Sequence, residues 1–285
     1  MEKALFRRLQ KGDIEMIHNT DWNQIWKEMR AGRTTVKRGA ASWDKRSSST
    51  RTLIRDDAYA RDFFRIMKPQ PEWTVLDMGC GPGTLALPLA PLVAHITATD
   101  FAKGMLDIVT EECTARGIRN ITVKRLSWED DWLESGIEKY DVVIASRSLV
   151  TDDLKEAIIK LDSTARQKVF IVTIVGDGPY DRKVFEALGR PLNPGPDYIC
   201  SYNVLYQMGI HARVDYIEQY GRGYGSPEEA FGSMHWMVGD MTAEETMKLK
   251  AFVDQHLVFD QGQWVTDYER KSLWAVLWWD KDRDC

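Results

Sequence analysis

The stretch TVLDMGCGPGT, residues 74–84, joins a short apolar run to an acid and then to three glycines within five positions. The apolar run predicts a buried strand, and the glycines after it predict a turn at which the backbone approaches another group closely. In an open α/β sheet, ligands bind beside such a turn, outside the carboxyl ends of the strands. Gly79, Gly81 and Gly83 are therefore predicted to border a ligand; the alternative is that they only make a tight turn.

Two features of this turn argue against a pyrophosphate ligand. Its spacing is G-x-G-x-G instead of the G-x-G-x-x-G of dinucleotide enzymes, and Pro82 removes an N–H donor from it. Asp77 precedes the first glycine by two residues, where its carboxylate would repel a phosphate but would suit a cationic amino group. Asp100 lies 23 residues after Asp77 in the sequence. An acid about 20 residues beyond a glycine turn of this kind typically binds a ribose hydroxyl. Together these residues predict an adenosine-containing cofactor.

Apolar strands alternate with helical patterns through the middle of the chain. Strands are predicted at residues 73–78, 95–100, 121–126, 140–146 and 168–175. Helices between them are predicted at about 83–92, 103–116 and 152–165. This alternation predicts an α/β fold with a mostly parallel sheet, right-handed crossovers and helices on both faces.

The last third of the chain has a different pattern. Residues 212–221 alternate as a half-exposed strand does, two capped helices follow, and a tryptophan-rich strand is predicted over 272–281. This order predicts an antiparallel edge of the sheet, with an antiparallel last strand and a helical lid inserted at about 190–260. Tryptophans on the last strand are typical of a core or of the contact face of a homodimer.

Charge is unevenly distributed between a helical N-terminal arm with a covering loop, predicted over 1–71, and the α/β domain predicted over 72–285. The arm has 16 Lys and Arg against 9 Asp and Glu, whereas the chain of 285 residues has 38 against 43. A basic arm is typical of a nucleic-acid or other anionic partner, or of a solvated helix face and a polar loop. The acidic remainder disfavours a large nucleic-acid footprint.

Composition and cysteine usage predict a reduced, cytoplasmic protein without a membrane partner. No apolar run approaches the roughly 20 residues that cross a bilayer, and the N-terminus lacks the features of a signal peptide. The four cysteines are scattered and predict neither a disulfide framework nor a zinc site.

The sequence VLDMGCGPGTLALPLA, followed by ITATD, resembles motif I and the second-strand acid of class I S-adenosylmethionine-dependent methyltransferases. The resemblance covers about residues 40–175, and SWDKR at 42–46 is similar to the W-D-x-R segment of many small-molecule members. It implies a Rossmann-like sheet with an antiparallel last strand. It also implies that S-adenosylmethionine is the cofactor, that S-adenosylhomocysteine is its product, and that a methyl group passes to a small-molecule acceptor by in-line displacement.

The resemblance implies a cofactor site along the carboxyl ends of the strands. Asp77 and the backbone of the glycine turn would hold the methionine end, and Asp100 would bind both ribose hydroxyls. Phe101 and Met105 would pack against the adenine. Ser127 and Trp128 occupy the position where many members carry an aspartate at the adenine edge, with Glu129 close by. The implied site is completed by Gly79, Cys80, Gly81, Gly83 and Ser146.

Candidate side chains for the acceptor come from the strand ends and the lid. Methyl transfer depends on positioning and on the exclusion of water, and it needs a base only where the nucleophile carries a proton. His235 is the best-placed candidate base, and Arg147 is a candidate for orienting an anionic substrate. Asp152 and Asp153 are more typical of a helix N-terminus than of a metal site, so no metal is predicted.

Aromatic side chains of the lid predict a pocket for an apolar or planar small molecule. Its candidate residues are Tyr202, Tyr206 and Trp236. The alternative is that the tyrosines form a helical stripe packed on the sheet. Two other functions also stay open: a nucleic-acid or protein methyltransferase that uses the basic arm, and a cofactor-binding homologue without catalytic activity.

Overall fold

Nine strands are present in the computed structural model, which describes residues 19–35, 39–44, 57–221 and 223–281. In chain order they are β1 Thr74–Met78, β2 His95–Asp100, β3 Ile121–Arg125, β4 Tyr140–Ser146, β5 Ala165–Ile174, β6 Arg213–Tyr220, β7 Leu257–Asp260, β8 Gln263–Thr266 and β9 Lys271–Asp280. Seven of them form one sheet in the order β3-β2-β1-β4-β5-β9-β6, and β7 and β8 form a separate hairpin.

Helices connect the strands and cover both faces of the sheet. They are α1 Trp22–Ala31, α2 Asp57–Met67, α3 Ala86–Leu89 with a 3-10 turn over Ala90–Leu92, α4 Lys103–Arg116, α5 Leu154–Thr164, α6 Arg182–Leu188, α7 Tyr198–Gln207, α8 Pro227–Val238 and α9 Ala243–His256. The two helix N-caps predicted from the sequence in the lid are present in the structure. Ser226 caps α8, and Thr242 forms a reciprocal capping box with Glu245 at the start of α9.

The five predicted α/β strands pair in parallel, which confirms the predicted fold class. β1 lies between β2 and β4: Val75 pairs with Ile96 on one side and with Val142 on the other. All three of these side chains are fully buried, because helices cover both faces. The order of the strands reverses between β1 and β4, so the glycine turn after β1 lies at the switch point where an α/β sheet binds its ligand.

The last two strands of the sheet pair antiparallel at its edge, which confirms the predicted antiparallel edge and the antiparallel last strand. β9 pairs antiparallel with β5 and with β6, and β6 forms the edge. Trp274 and Trp279 on β9 are consequently buried in the protein. Helix α6 and the β7–β8 hairpin were not predicted. The hairpin turn at Gln261 and Gly262 has left-handed backbone at both residues, the geometry that a two-residue turn of this kind requires.

The arm and the lid pack against the sheet domain through separate apolar clusters. Trp26 of α1 belongs to the cluster that contains α5 and α7 on one face of the sheet. The lid helices α8 and α9 share another cluster with α6. The proposed division of the chain at residue 72 stays a prediction. Within the four described ranges, no helix has the length and apolar character needed to cross a membrane.

Candidate functional site

The backbone N–H groups of the glycine turn are already engaged inside the protein. The bonds, in chain order, are Gly79 N and Cys80 N to the Thr99 carbonyl at 2.8 Å each, Gly81 N to Asp100 Oδ2 at 2.9 Å, and Gly83 N to the Cys80 carbonyl at 3.1 Å. Pro82 carries no N–H at all. A phosphate is bound by a nest of free N–H donors, and this turn offers none. The turn is therefore built for a ligand without a phosphate, as Asp77 and Pro82 predict.

Asp77 is a buried acid at the end of β1. Its Oδ2 atom is shielded from solvent and has no hydrogen-bond partner among the described residues. Burial, and secondarily the charge of Asp100, raises the pKa of this carboxyl from 3.8 to about 7. A buried carboxylate without a partner is costly, and a ligand ammonium placed against it would remove that cost. The orphaned oxygen is the feature that fits the amino group of S-adenosylmethionine.

Asp100, at the end of β2, is also buried but is hydrogen-bonded. Its Oδ2 accepts from Gly81 N and its Oδ1 accepts from Ala102 N, both at 2.9 Å. Burial raises the pKa of Asp100, and the backbone N–H donors oppose that rise. Each carboxylate oxygen can accept a second hydrogen bond. The geometry is thus suited to two neighbouring hydroxyl groups such as those of a ribose.

Gly79 is the position at which the turn touches the loop after β4. Its φ of +75° is unfavourable for any residue with a side chain, and an added Cβ would lie 2.4 Å from the Cβ of Ser148. The Ser148 hydroxyl donates to the Met78 carbonyl at 2.5 Å. The loop after β4 is therefore fixed directly against the end of β1.

The N-terminus of α4 brings together the residues implied in adenine packing. Phe101 and Met105 flank the start of this helix, where Met105 is buried and Phe101 is half-buried. Asp44 of the arm accepts a hydrogen bond from Gly104 N at 2.7 Å. The first three residues of the SWDKR segment thus lie near the cofactor side of the sheet, whereas Lys45 and Arg46 lie outside the described residues.

The loop after β3 contains Ser127 and Trp128, which stand where many members of the family carry an aspartate. Trp128 is buried and donates from Nε1 to the Ser148 carbonyl at 2.7 Å. Ser127 N donates to Asp130 Oδ2 at 2.8 Å, and Glu129 is exposed. Trp128 thus has a structural contact that supports the loop after β4. Its role, and those of Ser127 and Glu129, at an adenine edge stay predictions.

A cavity of about 1150 Å³ opens beside the carboxyl ends of β4 and β5. Arg147 and Leu149 line it from the loop after β4, and the loop at 177–183 lines it after β5. The arm contributes Trp26, Arg30, Arg33 and Trp43, and the lid contributes Ser233, Met234, Trp236 and Met237. Trp43 and Trp236 meet edge to face with ring centroids 5.8 Å apart, so the arm and the lid are in contact across this cavity.

Arg147 is held in one place by aromatic rings. Its guanidinium carbon lies 3.9 Å from the centre of the Tyr59 ring and 5.4 Å from that of Trp274. Its Nη1 donates to Gln219 Oε1 at 3.3 Å, and the backbone has a left-handed φ of +57°. Beside it, the hydroxyls of Ser146 and Tyr59 are 2.6 Å apart. Contacts with Tyr59, Trp274 and Gln219 thus fix the side chains of Ser146 and Arg147 at the end of β4, beside the cavity.

The candidate acceptor residues are separated by the structure. Trp236 lines the cavity, whereas His235 is exposed on the opposite side of α8 beside Phe231. Tyr202 packs against an apolar cluster of the sheet, and Tyr206 is partly exposed next to the ring of His211. Neither tyrosine lines the cavity, because α7 presents this stripe to the sheet and to solvent.

Several residues of the site were not identified from the sequence. Among them are Tyr59 and Gln219, together with the loop at 177–183 and the arm residues Arg30 and Arg33. The sequence GDGPYDR at 176–182 follows a buried strand at the ligand-binding edge of the sheet, and this position could have indicated the loop. Tyr59 has no comparable signal, since its contact with Ser146 spans 87 residues of sequence.

Comparisons with known proteins identify the domain in which the glycine turn lies. Residues 75–166, which include the glycine turn and β1 to α5, match the model of a methyltransferase domain. An uncharacterized protein of Haemophilus influenzae is 36% identical over 85% of this chain and 89% of its own length. Aklanonic acid methyltransferase DauC of Streptomyces is 32% identical over 30% of this chain and 39% of its own.

The fold is also found in a solved structure. A protein of Bacillus halodurans described as a methyltransferase superposes with a TM-score of 0.54 at 13% identity, covering 79% of this chain and 99% of that one. This structural similarity supports the fold. The chemistry is indicated by the match to a methyltransferase domain and by the acidic turn, which has no free N–H donors for a phosphate. The chain therefore carries a methyltransferase domain of the class I S-adenosylmethionine-dependent type.

Proposed function

We propose that this methyltransferase acts on a small molecule bound in the 1150 Å³ cavity. The observation that carries the proposal is the double contact of one loop. Ser148 packs on Gly79 of the cofactor turn, while its neighbours Arg147 and Leu149 line the cavity. This cavity is slightly larger than the roughly 300–1,000 Å³ of most small-ligand sites, so it has room for a small molecule. Cofactor and acceptor would thus meet across the loop after β4.

The residues of the chain would act by positioning. S-adenosylmethionine supplies a methyl group bonded to a positively charged sulfur. Asp77 would hold its ammonium group, and Asp100 its ribose hydroxyls. The Trp43–Trp236 contact would limit the access of water to the cavity. Correct placement of two reactants is itself a large source of rate acceleration, so a site of this kind does not require a dedicated base.

A macromolecular acceptor is the second candidate, and two contacts of the arm count against it. Lys27 is paired with Asp153 at 2.7 Å, and Arg30 with Asp152 at 3.3 Å. Asp153 also caps α5 by accepting from Glu156 N. Lys27 is thus paired with the sheet domain, and Arg30 is buried beside the cavity, so neither is presented to a polyanion.

The remaining expectations accompany the proposal. A cytoplasmic location is consistent with cysteines that are buried without being paired, such as Cys80 and Cys200. A homodimer stays a prediction, and Trp274 and Trp279 do not support it because both are buried within the sheet. The third alternative, a homologue without catalytic activity, is addressed by the labelling experiment below.

Radiolabelled S-adenosylmethionine tests the proposal directly. The enzyme is incubated with the label and with a cell extract separated into small molecules, nucleic acids and proteins. We expect the label to be transferred to the small-molecule fraction. Transfer to nucleic acid or protein would show a macromolecular acceptor. Binding of S-adenosylhomocysteine by calorimetry without transfer to any fraction would instead favour a non-catalytic homologue.

A further inference from the structure

The cavity proposed for the acceptor is lined by an excess of positive charge. Seven basic side chains border it against three acidic ones, in a chain with a net charge of −5. The basic residues are Arg30, Arg33, Arg147, Arg182, Lys183, Arg270 and Lys271, and the acidic ones are Asp177, Asp181 and Glu269. A concave site that concentrates one sign of charge attracts ligands of the opposite sign.

Several of these cations are already engaged within the protein. Arg182 is paired with Asp177, Arg270 with Asp181, and Lys271 with Glu218. The ammonium of Lys183 lies 3.8 Å from the centre of the Tyr268 ring. These residues therefore shape one wall of the cavity without providing a free anchor for an anion.

Arg147 and Arg33 are different, because neither has an acidic partner among the residues that the structure describes. Arg147 uses one of its five N–H donors on Gln219, and no other hydrogen bond of its side chain is found within the described ranges. The rings of Tyr59 and Trp274 lie against its guanidinium, and Arg147 lines the cavity. A guanidinium edge fixed in this way is preorganised for a planar carboxylate.

Arg30 of the arm is a second arginine beside the cavity whose hydrogen-bonding groups are incompletely satisfied by the described residues. The Arg30 side chain is nine-tenths buried, its Nε has no hydrogen-bond partner in the described part of the chain, and its contact with exposed Asp152 is long, at 3.3 Å. Burial, followed by the charge of nearby Arg33, lowers the pKa of Arg30. Its Nη1 points to the Leu149 carbonyl at 3.5 Å, two residues from Arg147. Arginines from α1 and from the end of β4 thus contribute to one positive region.

Aromatic and apolar surfaces complete the cavity. Rings line it from the arm, the sheet and the lid, and the chain also contributes three prolines and two methionines. These residues are Trp26, Trp43, Tyr180, Tyr220, Tyr224, Trp236, Tyr268 and Trp274, with Pro179, Pro194, Pro196, Met234 and Met237. Such surfaces favour a flat, unsaturated ligand body that can stack on the rings.

From these observations we infer that the methyl acceptor is an aromatic or conjugated organic acid, whose carboxylate binds the edge of Arg147. This inference rests on the proposed small-molecule function and names its substrate class. Arg147 is the binding residue for the carboxylate, while Arg30 and Arg33 strengthen the positive field around it. Gln219 is a positioning residue, because its Oε1 accepts from both Arg147 Nη1 and Trp274 Nε1, the latter at 2.6 Å.

Matched acid and amide pairs test the inference by calorimetry. The probes are 2-naphthoate, cinnamate and salicylate, each beside its own uncharged amide, titrated into enzyme saturated with S-adenosylhomocysteine. We expect at least one acid to bind about tenfold or more tightly than its amide, the size of effect typical of a charge-assisted hydrogen-bonded pair. The inference is overturned if none of the three acids is preferred, whether the paired ligands bind equally or not at all.

Variants separate the role of Arg147 from a general effect of charge. R147Q should remove the preference for the acid and leave affinity for the amide unchanged. R116Q, which removes one positive charge on α4 outside the cavity lining, should keep the wild-type preference. R147G serves as a second variant, because a left-handed backbone is favourable for glycine and the turn should stay folded. Retention of the preference in R147Q or R147G would overturn the assignment.

The cofactor titration distinguishes the two levels of the proposal. S-adenosylhomocysteine is titrated first into wild type, R147Q and R116Q in the absence of any acid. If S-adenosylhomocysteine fails to bind the wild-type protein, the proposed methyltransferase function is contradicted. If it binds all three proteins and no acid is preferred, the small-molecule proposal can stand and only the organic-acid inference fails.

Discussion

Replacement of Asp77 by asparagine should have opposite effects on stability and on cofactor binding. The buried carboxyl has no partner for Oδ2 among the described residues, and its pKa is raised from 3.8 to about 7. Asparagine keeps the size of the side chain and removes the charge. D77N should therefore be more stable than wild type near neutral pH, while its affinity for S-adenosylhomocysteine should fall.

The size of the stability effect follows from proton linkage. Because the folded state holds the proton more tightly than the unfolded state, wild type loses stability as pH rises from about 4 to 7 and is flat above that range. The rise in pKa corresponds to a loss of about 4 kcal/mol once Asp77 is ionised. At about 2 °C per kcal/mol for a chain of this length, D77N should melt roughly 8 °C above wild type at pH 8 and near wild type at pH 4.

Asp141 provides a matched control with the opposite sign. Burial acts to raise the pKa of Asp141, but hydrogen bonds from Thr74 N and Oγ1 and from Gln167 lower it overall. The charged form of Asp141 thus stabilises the fold, and this stabilisation is lost as pH falls through the low folded-state pKa. D141N should be destabilised at pH 8 and should approach wild type in acid.

Thermal melts from pH 4 to 9 and calorimetric titrations with S-adenosylhomocysteine measure both effects. Wild-type affinity should rise with pH up to about 7, as Asp77 becomes ionised, and D77N should lose this dependence together with about tenfold or more in affinity. Parallel melting curves for wild type and D77N at every pH would refute the buried charge. Unchanged affinity in D77N would refute the contact with the ligand ammonium.

Three further predictions concern the turn, the lid and the contact between arm and lid. G79A should lose at least about 2 kcal/mol of stability in thermal melts, because an added Cβ meets Ser148 at 2.4 Å, whereas G81A, with nothing within 4 Å, should lose about 1 kcal/mol from backbone strain alone. H235N should keep its turnover within about twofold in the labelling assay, since His235 lies outside the cavity; a loss of a hundredfold would identify it as a base. A double-mutant cycle of W43A and W236A should give about 1 kcal/mol of coupling in unfolding, and a coupling near zero would show that the ring contact is absent in solution.

The parallel sheet and the character of the turn could be predicted because both depend on local sequence. Alternating apolar strands and helical patterns report burial on two faces, and the predicted bounds of β2, α4 and β4 agree with those observed. Asp77 and Pro82 are adjacent to the glycines, so their effect on a phosphate ligand can be argued without a fold. The position of the last strand between β5 and β6 could not be predicted, because it is set by a long connection that periodicity does not describe.

The sequence by itself determined that the chain is an α/β protein with an acidic, glycine-rich turn suited to a cationic adenosine cofactor. Only the tertiary structure decided which side chains share the acceptor cavity, since Arg30, Trp43, Arg147 and Trp236 come from four separate segments. It also decided that the N–H groups at positions 79–81 of the turn donate hydrogen bonds to Thr99 and Asp100. The physical reason is that local patterns report which residues are buried, whereas contacts between distant segments arise only from packing.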